Sequence, residues 1–471
     1  MERRTFLKIL SSAGIVSLVS PTFAMEVCKN KVSKSSSALL ESAFRNPPFS
    51  SGVYTWWHWM NGNITKDGIT RDLEAMKANG IAGYQLFEAG SGIPIGPVES
   101  LSDEWVDLIL HTLKESERLG LEFAMHNCPG WSSSGGPWIT PDKAMQIITW
   151  SETKITGGKQ VRIQLPTPKH MFDYYIDTYC LAIPANMKVI PRLSILELSN
   201  RLDKDGVLTW DVPTGEWLIM RFGQTAKDQK NKSAPSKSTG LDCDKFSTEA
   251  LDYHLNCMFK RLMPAMEKIA KHSKIGLLID SYETGDQDWT SDMPAYFEQS
   301  HGYELYPFLP VLANKIVESE ESTKRFLFDF RRVRADMFAE RYYGHFQKRC
   351  KEKGIITYTE PYGGNMMEEL QVAQQLDINM GEFWCGQTVL WANYKYNRTV
   401  KQVASIAHTL GGKVVGAEAF TSEPDADKWL QYPYALKSLG DYMFTRGLSR
   451  IYFHRFAHQP HPTAAPGMTM G

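Results

Sequence analysis

The chain has 471 residues, 42% hydrophobic and 22% charged, and its 52 basic residues against 53 acidic ones leave a net charge of −1. Those proportions exclude a collagen-like fibre, a disordered tail protein and a multi-span membrane protein, and so even a balance builds no positive field for nucleic-acid binding. Aromatics make up 12% of the chain, with 13 Trp, 20 Tyr and 22 Phe, which suits either flat contacts with sugar rings or a large aromatic core.

The N-terminus carries Arg3-Arg4, then Phe6-Leu7-Lys8, an apolar run from Ile9 to Val19, and Ala24 after Pro21. A charged opening, a short apolar run and a small residue at the cut site read as an export signal of the twin-arginine-like kind over residues 1–24. The run is too short for a spanning helix, so the expected location is periplasmic or extracellular, without stable membrane insertion. The seven cysteines, Cys28 among them, form no CxxC pair and no zinc spacing, which argues against a disulfide scaffold or a structural zinc.

A polar leader over 25–43 precedes the fold. Val53 to Trp59 reads as a strand and Thr70 to Asn79 as a helix, with Thr70 as N-cap, Gly80 past its end, and Ile69, Leu73 and Met76 at helical spacing. Strand Ile81–Phe87, helix Glu104–Leu119 closed by Gly120, and strand Leu121–His126 follow. Such alternation predicts a parallel sheet or barrel. From Trp150 to Gly240 the texture changes to short strands, at Val161–Leu165, Tyr179–Ile183, Leu193–Leu198, Val207–Trp210 and Trp217–Phe222, followed by a polar, mobile Lys/Ser loop over Lys227–Ser238. Helix and strand alternation resumes with Thr248 as an N-cap. Further strands are expected at Ile275–Asp280, Ile355–Glu360, Ile378–Trp384, Val414–Phe420 and Arg450–His454. The eight strands outside the changed region predict an α/β fold: a (β/α)8 TIM-type barrel over 44–149 and 241–471, with a small all-β module inserted at 150–240. Little chain follows the eighth strand, so the scaffold reads as lacking its last barrel helix, either a fragment or a barrel capped in some other way.

Such barrels work at the rim where the strands end. The first strand brings Trp56, Trp57, His58 and Trp59, with Asn61 just beyond, as candidates for sugar contact or for packing under the helices. The third brings His126, Asn127 and Trp131 on a Gly/Ser-rich loop. That loop lacks the lysine of a phosphate-binding loop and reads better as a sugar-binding loop with a Trp platform. The fourth brings Asp280, Tyr282 and Glu283, with helix capping by Asp280 or Ser281 as the alternative. Glu360, Glu382 with Trp384, and Glu418 end the next three strands, and His454 and His458 end the last. Hydrolysis of a glycosidic bond needs two carboxyls, and spare carboxylates suit a hard cation such as calcium. The two histidines fit hydrogen bonds to sugar hydroxyls better than zinc.

The runs Thr55-Trp-Trp-His-Trp-Met-Asn-Gly62, His126-Asn-Cys-Pro-Gly-Trp-Ser-Ser-Ser-Gly-Gly136, Asp280-Ser-Tyr-Glu283 with Gly285, Gln287 and Trp289-Thr290, and Gly381-Glu-Phe-Trp384 resemble the α-L-rhamnosidases of glycoside hydrolase family 106, from roughly Phe44 onwards. The resemblance implies inverting hydrolysis of terminal α-L-rhamnose from polysaccharides or glycosides, with a calcium ion beside the sugar. Carried over, Glu283 is the general acid and Glu418 the base. Asp280, Glu360 and Glu382 hold the sugar or the calcium, Glu382 being the metal candidate. Members of that family normally continue past residues 468–471, which leaves a truncated, non-catalytic carbohydrate-binding chain as an alternative. A retaining glycosidase acting on another sugar is a third reading, told apart by its closer carboxyls, about 5–5.5 Å against 6.5–9.5 Å for inversion.

Overall fold

The computed structural model describes residues 34–470, apart from 91, 132–133, 271–273, 386–388, 413, 423–427, 429, 462 and 466. The export signal, residues 25–33 of the leader with Cys28 among them, and the pair Ser132-Ser133 therefore lie outside the described residues. The chain divides into two units, Met1–Gly52 and Val53–Gly471. The first contributes a helix, Lys34–Arg45, with an exposed Arg45–Glu41 ion pair.

The second unit is built on eight parallel strands: β1 (Val53–Met60), β2 (Ile81–Ala89), β3 (Glu122–His126), β4 (Ile275–Ile279), β5 (Ile356–Thr359), β6 (Ile378–Cys385), β7 (Val415–Ser422) and β8 (Arg450–Ala457). Each pairs with its neighbours in sequence, and β1 pairs with β8 to close the barrel. All eight expected strands are present, so the α/β, TIM-type class holds. Side chains alternate across each strand. On β1, Tyr54 and Trp56 join an inner cluster with Phe87, Leu278, Tyr358, Met380 and Tyr452 that fills the lumen. Trp57 and Trp59 point the other way, into the layer beneath the helices.

Helix boundaries differ from the sequence reading by one turn or less. The helix after β1 spans Lys66–Ala78, not Thr70–Asn79, because Thr65 supplies the cap by accepting from Gly68 N at 3.1 Å. Thr70 then sits inside the helix with its hydroxyl 3.0 Å from His111 Nε2. The helix after β2, Asp103–Leu119, is capped by Ser102 and ends on the left-handed Gly120 at φ 67°. Ser247, one residue before the expected Thr248, caps the helix Thr248–Ile269.

Between β3 and β4 the chain forms antiparallel sheets. One orders Gln146–Thr156, Glu216–Ala226, Ile176–Pro184 and Leu196–Glu197, and a second pairs Lys159–Gln164 with Val207–Val212. Gln146–Thr156 was not among the expected strands, because its hydrophobics do not alternate strictly; pairing along its whole length with Glu216–Ala226 makes it one. The expected strand Leu193–Leu198 is shorter, because Pro191 opens a 3-10 turn over Arg192–Ser194.

The Lys/Ser-rich loop that follows is pinned rather than mobile. Trp131 N donates to Lys232 O at 3.2 Å, Gly90 N to Ser233 O at 2.8 Å, Ser236 N to Asn61 Oδ1 at 2.8 Å and Ser100 N to Ser238 Oγ at 3.1 Å. Asn231 and Ser238 are buried. The close approach needs glycine at Gly130, φ 89°, where a Cβ would stand 2.2 Å from Lys232 O.

Asp72, buried on the first helix, ties that helix to both closing strands. It accepts from Trp57 Nε1 at 2.9 Å, His458 Nδ1 at 2.7 Å and Gln459 N at 3.2 Å. His458 Nε2 accepts from Thr65 N at 3.3 Å, which leaves the ring proton on Nδ1 facing Asp72. Asp72→Ala strands three donors in a dry layer and is expected to cost about 3 kcal/mol or more, with Asp72→Asn costing less. Unfolding midpoints in urea check this, and an Asp72→Ala midpoint equal to wild type refutes the hub.

Candidate active site

The barrel mouth is lined by two unlike arcs. Strands β4 to β7 end in carboxyls: Asp280 and Glu360 just past β4 and β5, Glu382 within β6 and Glu418 within β7, all four buried. Strands β8, β1, β2 and β3 carry His454, His58, Phe87 and His126. His58 stacks on Phe87 at 5.3 Å and Phe87 on His126 at 5.2 Å, while His454 meets His58 edge-on at 5.8 Å. Trp56 lies below this arc, 4.4 Å from Phe87 and 5.5 Å from His454, its Nε1 donating to Gln85 Oε1 at 2.8 Å.

Ladder register brings the acids together. Glu382 and Glu418 are partners on adjacent parallel strands, which places their backbones about 4.8 Å apart. Burial, then the other acids, pushes the Glu418 carboxyl well above the ordinary range; burial does the same to Asp280 and Glu360, the latter also through Asp280. Hydroxyls offset part of this. Thr421 Oγ1 donates to Glu418 Oε1 and Tyr362 Oη to Glu360 Oε2, while Trp384 Nε1 donates to Glu382 Oε1. Among the described residues, Asp280 Oδ1 and Glu360 Oε1 receive no donor. A proton held between the two acids, or a cation, supplies what is missing there.

The aromatic arc stays neutral. Burial lowers the pKa of His126 to about 4, of His454 to about 3, and of His58 well below its usual value. His126 Nε2 accepts from Asp280 N at 3.4 Å, and His454 Nδ1 lies 4.0 Å from Glu418 Oε1.

Glu283 stands apart from the other acids. It is about one-third exposed and takes Lys232 Nζ on Oε2, with Trp131 Nε1 at 3.4 Å on the same oxygen and Ser281 Oγ at 3.3 Å on Oε1.

Trp56, His58, His126, Trp131, Asp280, Glu283, Glu360, Glu382, Trp384, Glu418 and His454 thus gather at one mouth. Others proposed from sequence do not. Trp57 and Trp59 are fully buried behind the sheet because strand parity sends them outward. His458 is bound to Asp72. Tyr282 is buried, its hydroxyl donating to Gly285 O at 2.9 Å and its ring edge-on to Phe338. Asn127 spends its side chain on Leu278 O at 2.9 Å and Ser134 Oγ at 2.5 Å, and Asn61 Nδ2 donates to Ile93 O at 2.6 Å; both brace the rim. Sequence reasoning missed Lys232, Tyr362, Thr421, Gln85 and Arg455, the last lying close enough to Glu418 to feel its charge. Tyr362 and Thr421 lie two and three residues past an acid already singled out, and that proximity was the available signal. Among the described residues, no three His, Cys, Asp or Glu side chains converge as a formed metal site, and no helix is long and apolar enough to cross a membrane.

The family described as alpha-L-rhamnosidase matches residues 45–177 and 169–471. A protein of Formosa agariphila named "Putative beta-glucuronidase" is 40% identical over 462 residues, covering 92% of this chain and 39% of the relative. The solved rhamnosidase of Novosphingobium sp. PP1Y shares the fold at a TM-score of 0.83 and 24% identity, over 91% of this chain and 57% of that one. The chain therefore spans about two-fifths of the first protein's length and under three-fifths of the second's.

The acid cluster predicts a pH signature. Its carboxyls hold protons in the folded state at pH values where an unfolded Glu, titrating near 4.5, has lost them. The folded chain then binds more protons, so stability falls as pH rises above about 4.5. Wild type is expected to melt lower at pH 8 than at pH 5, and Glu360→Gln, neutral and of the same shape, to show a shallower loss and a higher midpoint at pH 8. A Glu360→Gln profile as steep as wild type refutes the cluster as its source.

Proposed function

The chain belongs to glycoside hydrolase family 106, the alpha-L-rhamnosidases, and from that premise we propose that it removes terminal α-L-rhamnose from a glycan or glycoside by inversion. The observation that carries the reading is one mouth holding Glu283 on its exposed side and Glu418 in its buried acid arc. In an inverting hydrolysis one carboxyl gives its proton to the leaving oxygen, and the other takes a proton from the water that attacks the anomeric carbon from the opposite face. In this reading Glu283, beside the open lip, protonates the leaving oxygen. Glu418 in turn activates the water, and the Thr421 hydroxyl on its Oε1 favours the ionised form a base needs. Rhamnose is a 6-deoxy sugar, and its methyl and apolar ring face suit the partly buried indole of Trp131 at the rim. The neutral imidazoles of His58 and His454 serve its hydroxyls without competing for the acids' charge, while His126 is spent on Asp280 N and Cys128 O.

Calcium fits the chemistry of the acid arc. The donors are hard oxygens, and among the described residues Asp280 Oδ1 and Glu360 Oε1 have no donor, so those two with Glu382 would hold the ion. When bound, it supplies positive charge that keeps the neighbouring carboxyls ionised. The export signal expected over residues 1–24 suits an enzyme that meets extracellular glycans.

A second reading, β-glucuronide hydrolysis, is favoured by the name of the 40%-identical relative. Release of 4-nitrophenol from its α-L-rhamnoside and its β-D-glucuronide separates the two. The rhamnoside is expected to turn over, to slow on chelation and recover with calcium, and to lose about 100-fold or more in kcat in Glu283→Gln and in Glu418→Gln. Turnover of the glucuronide alone sinks the rhamnosidase reading, and hydrolysis of neither by folded protein sinks both.

A further inference from the structure

We infer that Lys232 is a specificity-determining residue that recognises an anionic substituent, a carboxylate or sulfate, on the sugar departing from the rhamnose. The inference rests on the rhamnosidase reading above and names the substrate class for it.

The pinned loop over 227–240 crosses the ends of the first four strands, and its lysines have different employments. Lys227 Nζ donates to Asp286 O at 2.6 Å, Lys230 pairs with Asp228 at 3.2 Å, and Lys237 Nζ reaches Pro97 O at 3.3 Å. Lys232 instead points its ammonium at Glu283 Oε2, while its backbone is fixed through Trp131 N and its side chain stays half exposed at the lip. A general acid must carry a proton when the leaving oxygen arrives. An ammonium only donates, so Lys232 occupies one of the two oxygens from which Glu283 could pass on a proton. Trp131 Nε1 and Ser281 Oγ face the same carboxyl, so all three of its named neighbours can donate to it. Glu283 works as an acid once Lys232 withdraws.

A neutral leaving sugar gives the withdrawn ammonium only uncharged hydroxyl oxygens to bond. A leaving sugar with a carboxylate or sulfate on the ring gives it a charged acceptor beside the scissile oxygen, and such charge-assisted bonds are the strong ones. Binding the anion and freeing the acid then become one event. The exchange moves no covalent bond: the ion pair with Glu283 opens, one with the substrate forms, and the proton Glu283 needs comes from solvent.

The test measures binding and turnover separately. Calorimetric titration compares methyl β-D-glucuronide with methyl β-D-glucoside on the full chain, and kcat/KM compares α-L-rhamnosyl-glucuronate with α-L-rhamnosyl-glucose. Wild type is expected to prefer the acidic member of each pair about tenfold or more. Lys232→Met is expected to bring both ratios near one and Lys232→Arg to keep them, with melting temperatures showing that the variants fold. Equal handling of acidic and neutral members by wild type, binding of neither glycoside, or a preference that survives in Lys232→Met overturns the inference. Failure of the rhamnosidase reading shows differently, as no rhamnose released from either disaccharide, whatever the glycosides do in the calorimeter.

Discussion

The mutual repulsion of four buried carboxyls is the constraint around which the molecule is arranged. Asp280, Glu360, Glu382 and Glu418 end neighbouring strands, so closing the barrel forces them together. An unpaired buried charge is among the costliest things a fold can contain. The surrounding residues are those that lessen this cost without neutralising the arc outright. Tyr362, Thr421 and Trp384 each turn one donor towards an acid, and His126 fixes the Asp280 backbone while staying neutral. What is left unsatisfied, one oxygen on Asp280 and one on Glu360, is concentrated where a bound cation or sugar hydroxyl has something to contribute.

Dividing the mouth between an acidic and an aromatic arc solves a second difficulty. A sugar offers hydroxyls at its edge and C–H groups on its faces, and a uniformly charged cavity suits only the first. Phe87 between two neutral imidazoles, with Trp56 beneath, gives the other half of the mouth a low-polarity wall. That wall sharpens the field of the acids opposite.

Much of this was legible in the sequence, and the illegible part has physical causes. The eight strands were readable because β-branched and aromatic runs alternated with amphipathic helices, and the strand ends pointed to the acids directly. Strand parity was not readable: in Trp56-Trp57-His58-Trp59 alternate residues part company, and nothing local says which pair sees the lumen. Trp57 and Trp59 therefore looked like rim residues until their partners under the first helix were known. His458 was lost similarly, its role set by Asp72, 386 residues earlier. Lys232 had no signal at all, since a lysine in a polar loop is ordinary and only the fold carries it to an acid 51 residues later.

The loop over 227–240 has a consequence for how this mouth changes over generations. Asn231, Ser236 and Ser238 act as its stitches, holding it to the ends of the early strands, while Lys230 and Lys232, on either side of Asn231, face outward. Holding and reading are thus assigned to different positions of one short segment, in alternation. A lineage can exchange its outward residues to suit a new polymer without unpicking the seam, whereas a change at a stitch disturbs several strand ends together. The loop is best regarded as a keyboard on a fixed frame, whose keys are replaceable one at a time.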